Sequence, residues 1–165
     1  MKKLLIIMIA LLSAGSAYAQ SDEVKGLQVN TTLRYDWYNG GTSFWNAMVS
    51  VGSRLDRENY IGIESGFGIH ARYPKNINSI PVLLDYIHYY PLGKSDRHSV
   101  YLGVEAGAMI QLSHWPQNQH VNHYTELFTS GKIGFDFALG NKGPHLIVGG
   151  QINFWGAGAT LGLAF

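Results

Sequence analysis

The feature that most constrains this chain is an alternation of period two. From Val100 to Leu112 one set of alternate residues reads Val100, Leu102, Val104, Ala106, Ala108, Ile110 and Leu112. The other reads Tyr101, Gly103, Glu105, Gly107, Met109 and Gln111. Successive side chains of a strand point to opposite faces, so one face is wholly apolar and the other is not. The same parse places strands over 26–38, 44–55, 60–73, 80–90, 100–112, 126–139, 145–155 and 157–165. Turn chemistry separates them: Asn39-Gly40-Gly41, Asp56-Arg57-Glu58, Pro74-Lys75-Asn76, Pro91-Leu92-Gly93-Lys94 and Gly140-Asn141-Lys142-Gly143. These segments exceed the usual five or six residues of a globular strand. They match the roughly 9–11 residues that a tilted strand needs to cross a bilayer.

Charge and glycine decide which face is inside. Charged residues make up only 14% of the chain, against about 25% in an ordinary soluble domain. Within the segments every Asp, Glu, Lys and Arg lies on the less apolar phase, from Arg34 and Asp36 on the first to Lys132 and Asp136 on the sixth. All strand glycines share that phase except Gly131 and Gly150. A lipocalin-like barrel would give the same alternation with a polar exterior, but its water-facing phase would carry many Lys and Glu. An eight-stranded barrel has an interior barely wide enough for its side chains, which is where small residues belong. The fold expected is therefore all-β: an eight-stranded antiparallel up-and-down transmembrane β-barrel with its apolar phase towards lipid. Gly143–Phe165 carries no charge, yet its glycines, Pro144, Gln151 and Asn153 read as strands and not as a spanning helix.

The N-terminus reads as a leader. Lys2 and Lys3 precede the apolar run Leu4–Leu12, and Ala17-Tyr18-Ala19 forms an A-x-A cleavage site before Gln20. The run is too short for a spanning helix. Residues 1–19 are thus expected to be a signal peptide and 20–165 the barrel domain. Ser16 stands where a lipoprotein box needs Cys, and the chain has no cysteine at all. That excludes disulfides, thiolate metal sites and a cysteine nucleophile. Lys+Arg number 12 against 11 Asp+Glu, so no basic surplus points to nucleic acid. With eight strands and a periplasmic start, the odd-numbered connections face outward. These include the longest, Ser113 to Tyr124. Aromatics on the lipid phase near strand ends (Tyr35, Trp37, Trp45, Tyr73, Tyr86, Tyr90, Phe154, Phe165) read as interfacial girdles.

The chain ends Ala159-Thr160-Leu161-Gly162-Leu163-Ala164-Phe165, and Leu161, Leu163 and Phe165 resemble the insertion signal of bacterial outer-membrane barrels. Ile80–Tyr90 (IPVLLDYIHYY), followed by a turn and Tyr101-Leu102-Gly103-Val104-Glu105-Ala106-Gly107, resembles the small outer-membrane β-barrel domain of Gram-negative bacteria, the OmpX/OmpW-like group. The resemblance implies residence in the outer membrane after export, contact with outer-membrane lipid and lipopolysaccharide, and recognition by the outer-membrane insertion machinery. Structural, adhesive and small-solute-transporting members are expected in such a group. The resemblance implies no cofactor.

Three chemical constellations remain. His114, His120 and His123 are weak metal candidates, because their H-x5-H-x2-H spacing fits no standard site. Lipid A-modifying barrel enzymes form an alternative class, and the deacylases among them carry His-x-Ser late in the barrel. Here Gln151-Ile152-Asn153-Phe154-Trp155 holds neither His nor Ser, and adjacent Ser113 and His114 would point to opposite faces. No enzyme is expected. The third constellation is a lumen charge network of Arg34, Glu64, Asp85, Glu105, Lys132 and Asp136. Centring the third and fourth strands on Lys75 puts Glu64 near Asp85. Centring the fifth and sixth on Gln119 puts Glu105 near Lys132, with Asp85 and Glu105 one diagonal step apart. Arg34 could reach across. The expected role is structural or surface-interacting through the outer loops. The alternative is binding or passage of a small apolar ligand, for which Pro81 would mark a weak point in the wall.

Overall fold

A computed structural model gives the architecture; it describes residues 26–38, 42–71, 77–93, 97–112, 125–140 and 143–165. Eight strands, β1 (Leu27–Tyr38), β2 (Thr42–Arg54), β3 (Asn59–Ala71), β4 (Ile77–Pro91), β5 (His98–Gln111), β6 (Thr125–Ala138), β7 (His145–Asn153) and β8 (Gly156–Ala164), form a closed barrel in sequence order. Every seam is antiparallel, and β8 closes on β1. The barrel thus has a loop end, where β1–β2, β3–β4, β5–β6 and β7–β8 connect, and a turn end with the other connections.

Stepping between paired residues from Gln28 through Gly52, Gly62, Asp85, Glu105, Ser130, Asn153 and Gly156 returns to β1 at Tyr38. The return lies ten residues beyond the start, between Gln28 and Tyr38. With strands about 4.8 Å apart and a rise of about 3.3 Å per residue, that stagger tilts the strands by about 40°. A barrel this narrow must fill its own interior.

The faces follow the alternation. Val104, Ile133, Ile152 and Leu161 are exposed, whereas Arg34, Asp36, Glu64, Asp85, Glu105, Lys132 and Asp136 are buried. The inward phase is not uniformly polar, however. Tyr38, Phe44, Met48, Leu83, Met109 and Phe128 form an apolar layer towards the loop end, with Trp155 packed against it. Tyr60, Ile87, Tyr89, Tyr101, Ile147 and Ala164 form a second layer towards the turn end. Glycine makes room for the second layer. A Cβ on Gly149 would lie 2.2 Å from the Tyr101 hydroxyl, and one on Gly62 would lie 2.2 Å from that of Tyr60. Outside, Gly131 faces open space. Tyr35 and Trp45 meet at 4.7 Å near the loop end, and Phe135 stacks on Phe137 at 5.7 Å near the turn end.

Three details correct the sequence reading. Strand β7 stops at Asn153 and not at 155, because the Asn153 side-chain oxygen accepts the amides of Trp155 and Gly156 and turns the chain. The β3–β4 register is tighter than a centre at Lys75: Asp85 faces Gly62, and Glu64 faces Leu83. Likewise Lys132 faces Gly103 and Glu105 faces Ser130, while Asp85 and Glu105 are directly opposed and not diagonal.

The β3–β4 ladder is broken between Ser65↔Val82 and Gly68↔Ser79. Pro81 lies in the gap. Its carbonyl faces β3, where it accepts the Ser65 hydroxyl at 2.8 Å. The donor that proline lacks is therefore missing on the same side.

Candidate functional site: a sealed charge layer in the lumen

Five strands each send one charged side chain to mid-lumen. Arg34 on β1 forks onto Glu105 on β5, with Nη1–Oε1 2.7 Å and Nη2–Oε2 2.8 Å, and its Nη2 also donates to Glu64 on β3. Lys132 on β6 places Nζ 2.6 Å from Asp85 on β4, 3.0 Å from Glu105 and 3.7 Å from Glu64. The Ser130 hydroxyl donates to Glu105 at 2.7 Å. Each carboxylate thus meets a cation in a region shielded from water, where charge-assisted hydrogen bonds are strongest.

Glu64, Asp85 and Glu105 lie close enough together to suggest a metal centre. The Lys132 ammonium touches all three and takes the place a cation would occupy. The arrangement is an internal salt-bridge cage.

Asp136 is held apart from these five. It pairs with His145 Nδ1 at 2.6 Å and Arg54 Nη2 at 3.6 Å. Arg54 lies 4.4 Å over the Tyr89 ring and donates Nε to Gln28. Asp36, on the other side of the network, accepts from the side-chain amides of Asn46, Gln151 and Asn153. In the sequence Gln151 and Asn153 stand out only as polar interruptions that argue against a helix, and Asn46 is marked only by its inward phase.

Between the network and the turn-end layer lies a cavity of about 20 Å³ bounded by Arg34, Glu64, Asp85, Lys132, Tyr89 and Tyr101. That is room for about one water molecule. Apolar layers lie on either side of the network.

The other candidates lie at the periphery. Leu161 is exposed on the outer wall, and Phe165 extends the closing seam through paired backbone hydrogen bonds with Val29 at 3.1 and 2.9 Å. Leu163 is partly buried on the same strand. His114, His120 and His123, and the cleavage-site residues Ala17, Ala19 and Gln20, lie outside the described residues.

No protein-family profile and no curated protein sequence matches the chain. Solved structures do match in fold. The crystal structure of Neisserial surface protein A (NspA) aligns with a TM-score of 0.59 at 13% identity, covering 84% of this chain and 92% of that one. The N-terminal β-barrel domain of Pseudomonas aeruginosa OprF gives 0.52 at 12% identity, covering 84% and 97%. A de novo designed transmembrane β-barrel gives 0.53 at 10% identity, covering 88% and 97%. At such identities the likeness concerns the fold alone: a small eight-stranded barrel of the outer-membrane type.

Proposed function

We propose that the chain is a non-conducting, non-catalytic outer-membrane scaffold whose loop end meets an extracellular partner. The observation that carries this reading is the lumen, where a salt-bridged layer spanning five strands is closed in by an apolar layer on either side. A porin invests its interior in water; this one invests it in packing. In this reading the protein is exported and Leu161, Leu163 and Phe165 address it to the insertion machinery. Lipid and lipopolysaccharide then surround the girdles. Purified protein in planar bilayers is expected to pass neither ions nor small solutes, and steady single-channel conductance would overturn the reading.

One observation favours passage of a small apolar ligand instead. The ladder gap at Pro81 lies beside the layer containing Met48, Leu83 and Met109. Pro81→Val would restore the missing donor and should slow uptake of an apolar solute into vesicles if the gap is its path. Equal uptake by the two proteins leaves the scaffold reading standing.

A further inference from the structure

The wall is uneven at the loop end. β6 pairs with β5 up to Thr125, but its pairing with β7 begins only at Ser130, opposite Asn153. The two-residue turn Phe154–Trp155 then carries the chain into β8. Among the described residues, 125–129 therefore have a neighbour on one side only.

Which backbone groups this frees follows from the ladder below. The Ile133 carbonyl reaches Gly149 on β7, so odd-numbered residues of β6 direct their N–H and C=O towards β7. Alternation extends this to Thr125, Leu127 and Thr129. Their amides and carbonyls face outward along the wall, while Glu126 and Phe128 bond to β5. A second observation falls on the same step. The most exposed large apolar side chains of the described residues, Phe154 at 86%, Leu127 at 77% and Ile152 at 72%, all border it.

We infer that this step is a docking edge for an extended peptide segment of another protein, which adds to the barrel as a strand beside β6. The inference rests on the scaffold reading and names the kind of partner that reading requires. Lipid chains offer nothing to free amides and carbonyls. A second copy in the same membrane is excluded by geometry. Its two-fold axis would run along the membrane normal, and two β6 edges each tilted by about 40° would cross at about 80°, too steep for a ladder. An added strand satisfies the backbone and sets alternate side chains against Leu127 and Phe154. Glu126, exposed on the opposite face of β6, favours a basic residue across from it. The partner segment should alternate apolar and basic residues.

The test uses the full barrel in lipid nanodiscs and an acetylated, amidated heptapeptide of alternating valine and lysine. Amide exchange at Thr125, Leu127 and Thr129 should be fast in the protein alone and slow about tenfold or more when the peptide is added. A version N-methylated on the hydrogen-bonding edge should protect nothing, and this control leaves the protein untouched. Leu127→Pro, which removes one free donor while sparing the β5 ladder, should weaken binding about tenfold. Glu126→Lys should favour a valine–glutamate peptide over the lysine one. Amides already slow in the isolated protein would show the edge covered by its own chain and overturn the inference, as would a peptide that protects none of the three. Conductance through the lumen would defeat the scaffold reading but leave this exchange experiment to give its own answer.

Discussion

Lys132 and Asp56 show how differently one charge can matter in this molecule. Lys132 touches three buried carboxylates. Removing one partner of a buried network typically costs about 3–5 kcal/mol, so Lys132→Met should lower the urea midpoint clearly more than Arg97→Met at the exposed turn end. Equal midpoints with unchanged m-values would show that the cage contributes nothing. Asp56 lies in the β2–β3 turn. The Asn59 side-chain amide, followed by the Glu58 and Asn59 backbone amides, holds its carboxyl below the usual aspartate range. A lowered pKa in the folded state stabilises the turn fully above the ordinary value of about 4. That contribution is lost as pH falls through the lowered value. Amide resonances of Glu58 and Asn59 should therefore follow a titration below the ordinary aspartate midpoint, absent in Asp56→Asn. A midpoint at the ordinary value would count against the turn bonds. The network was legible in the sequence as a shared phase of charges, because inward charge in a narrow barrel has to find charge. Its pairings were not. Register depends on turn geometry, and a shift of two residues keeps the phase while changing every partner.

At the scale of the strand, phase is the strongest signal, and all eight strands can be located from it. What it missed is the chemistry inside one phase. The inward set of β3 and β5 holds Tyr60 and Tyr101 beside glycines. Period two alone does not distinguish a polar lining from aromatic rings lying over glycine; only the pairing of Tyr101 with Gly134 and of Gly134 with Gly149 reveals it. The outward set is simpler. Val104 is exposed at the middle of β5, opposite Gly131. Val104→Arg should cost about 2–4 kcal/mol of folding free energy in bilayers if the residue lies near the midplane. Folding as efficient as the unmodified protein's would mean that inside and outside had been exchanged. Asn153 shows the opposite limit. Its side chain ends β7 two residues early, and this local hydrogen bond overrides an alternation that would continue through Phe154.

Over the whole molecule, a shear of ten, two apolar layers and a bridged middle describe a solid cylinder. Its rigidity comes from side chains as much as from the wall, since the Arg34 fork ties β1 to β3 and β5 across the interior. The order of the strands carries a kinetic consequence. Seven seams join consecutive strands, each closing a modest loop of chain; the eighth joins Leu33 to Leu161. Loop-closure entropy grows with the logarithm of length, and long-range pairing is the slow part of folding. Hairpins can therefore form and dissolve quickly while the last seam waits for both of its strands. Until β8 meets β1 the sheet has two raw margins and Arg34 has no enclosed interior to bridge. Cylinder and cage become possible together, so a half-finished chain should hold neither, and assembly should pass from an open ribbon to the finished protein in a single late step.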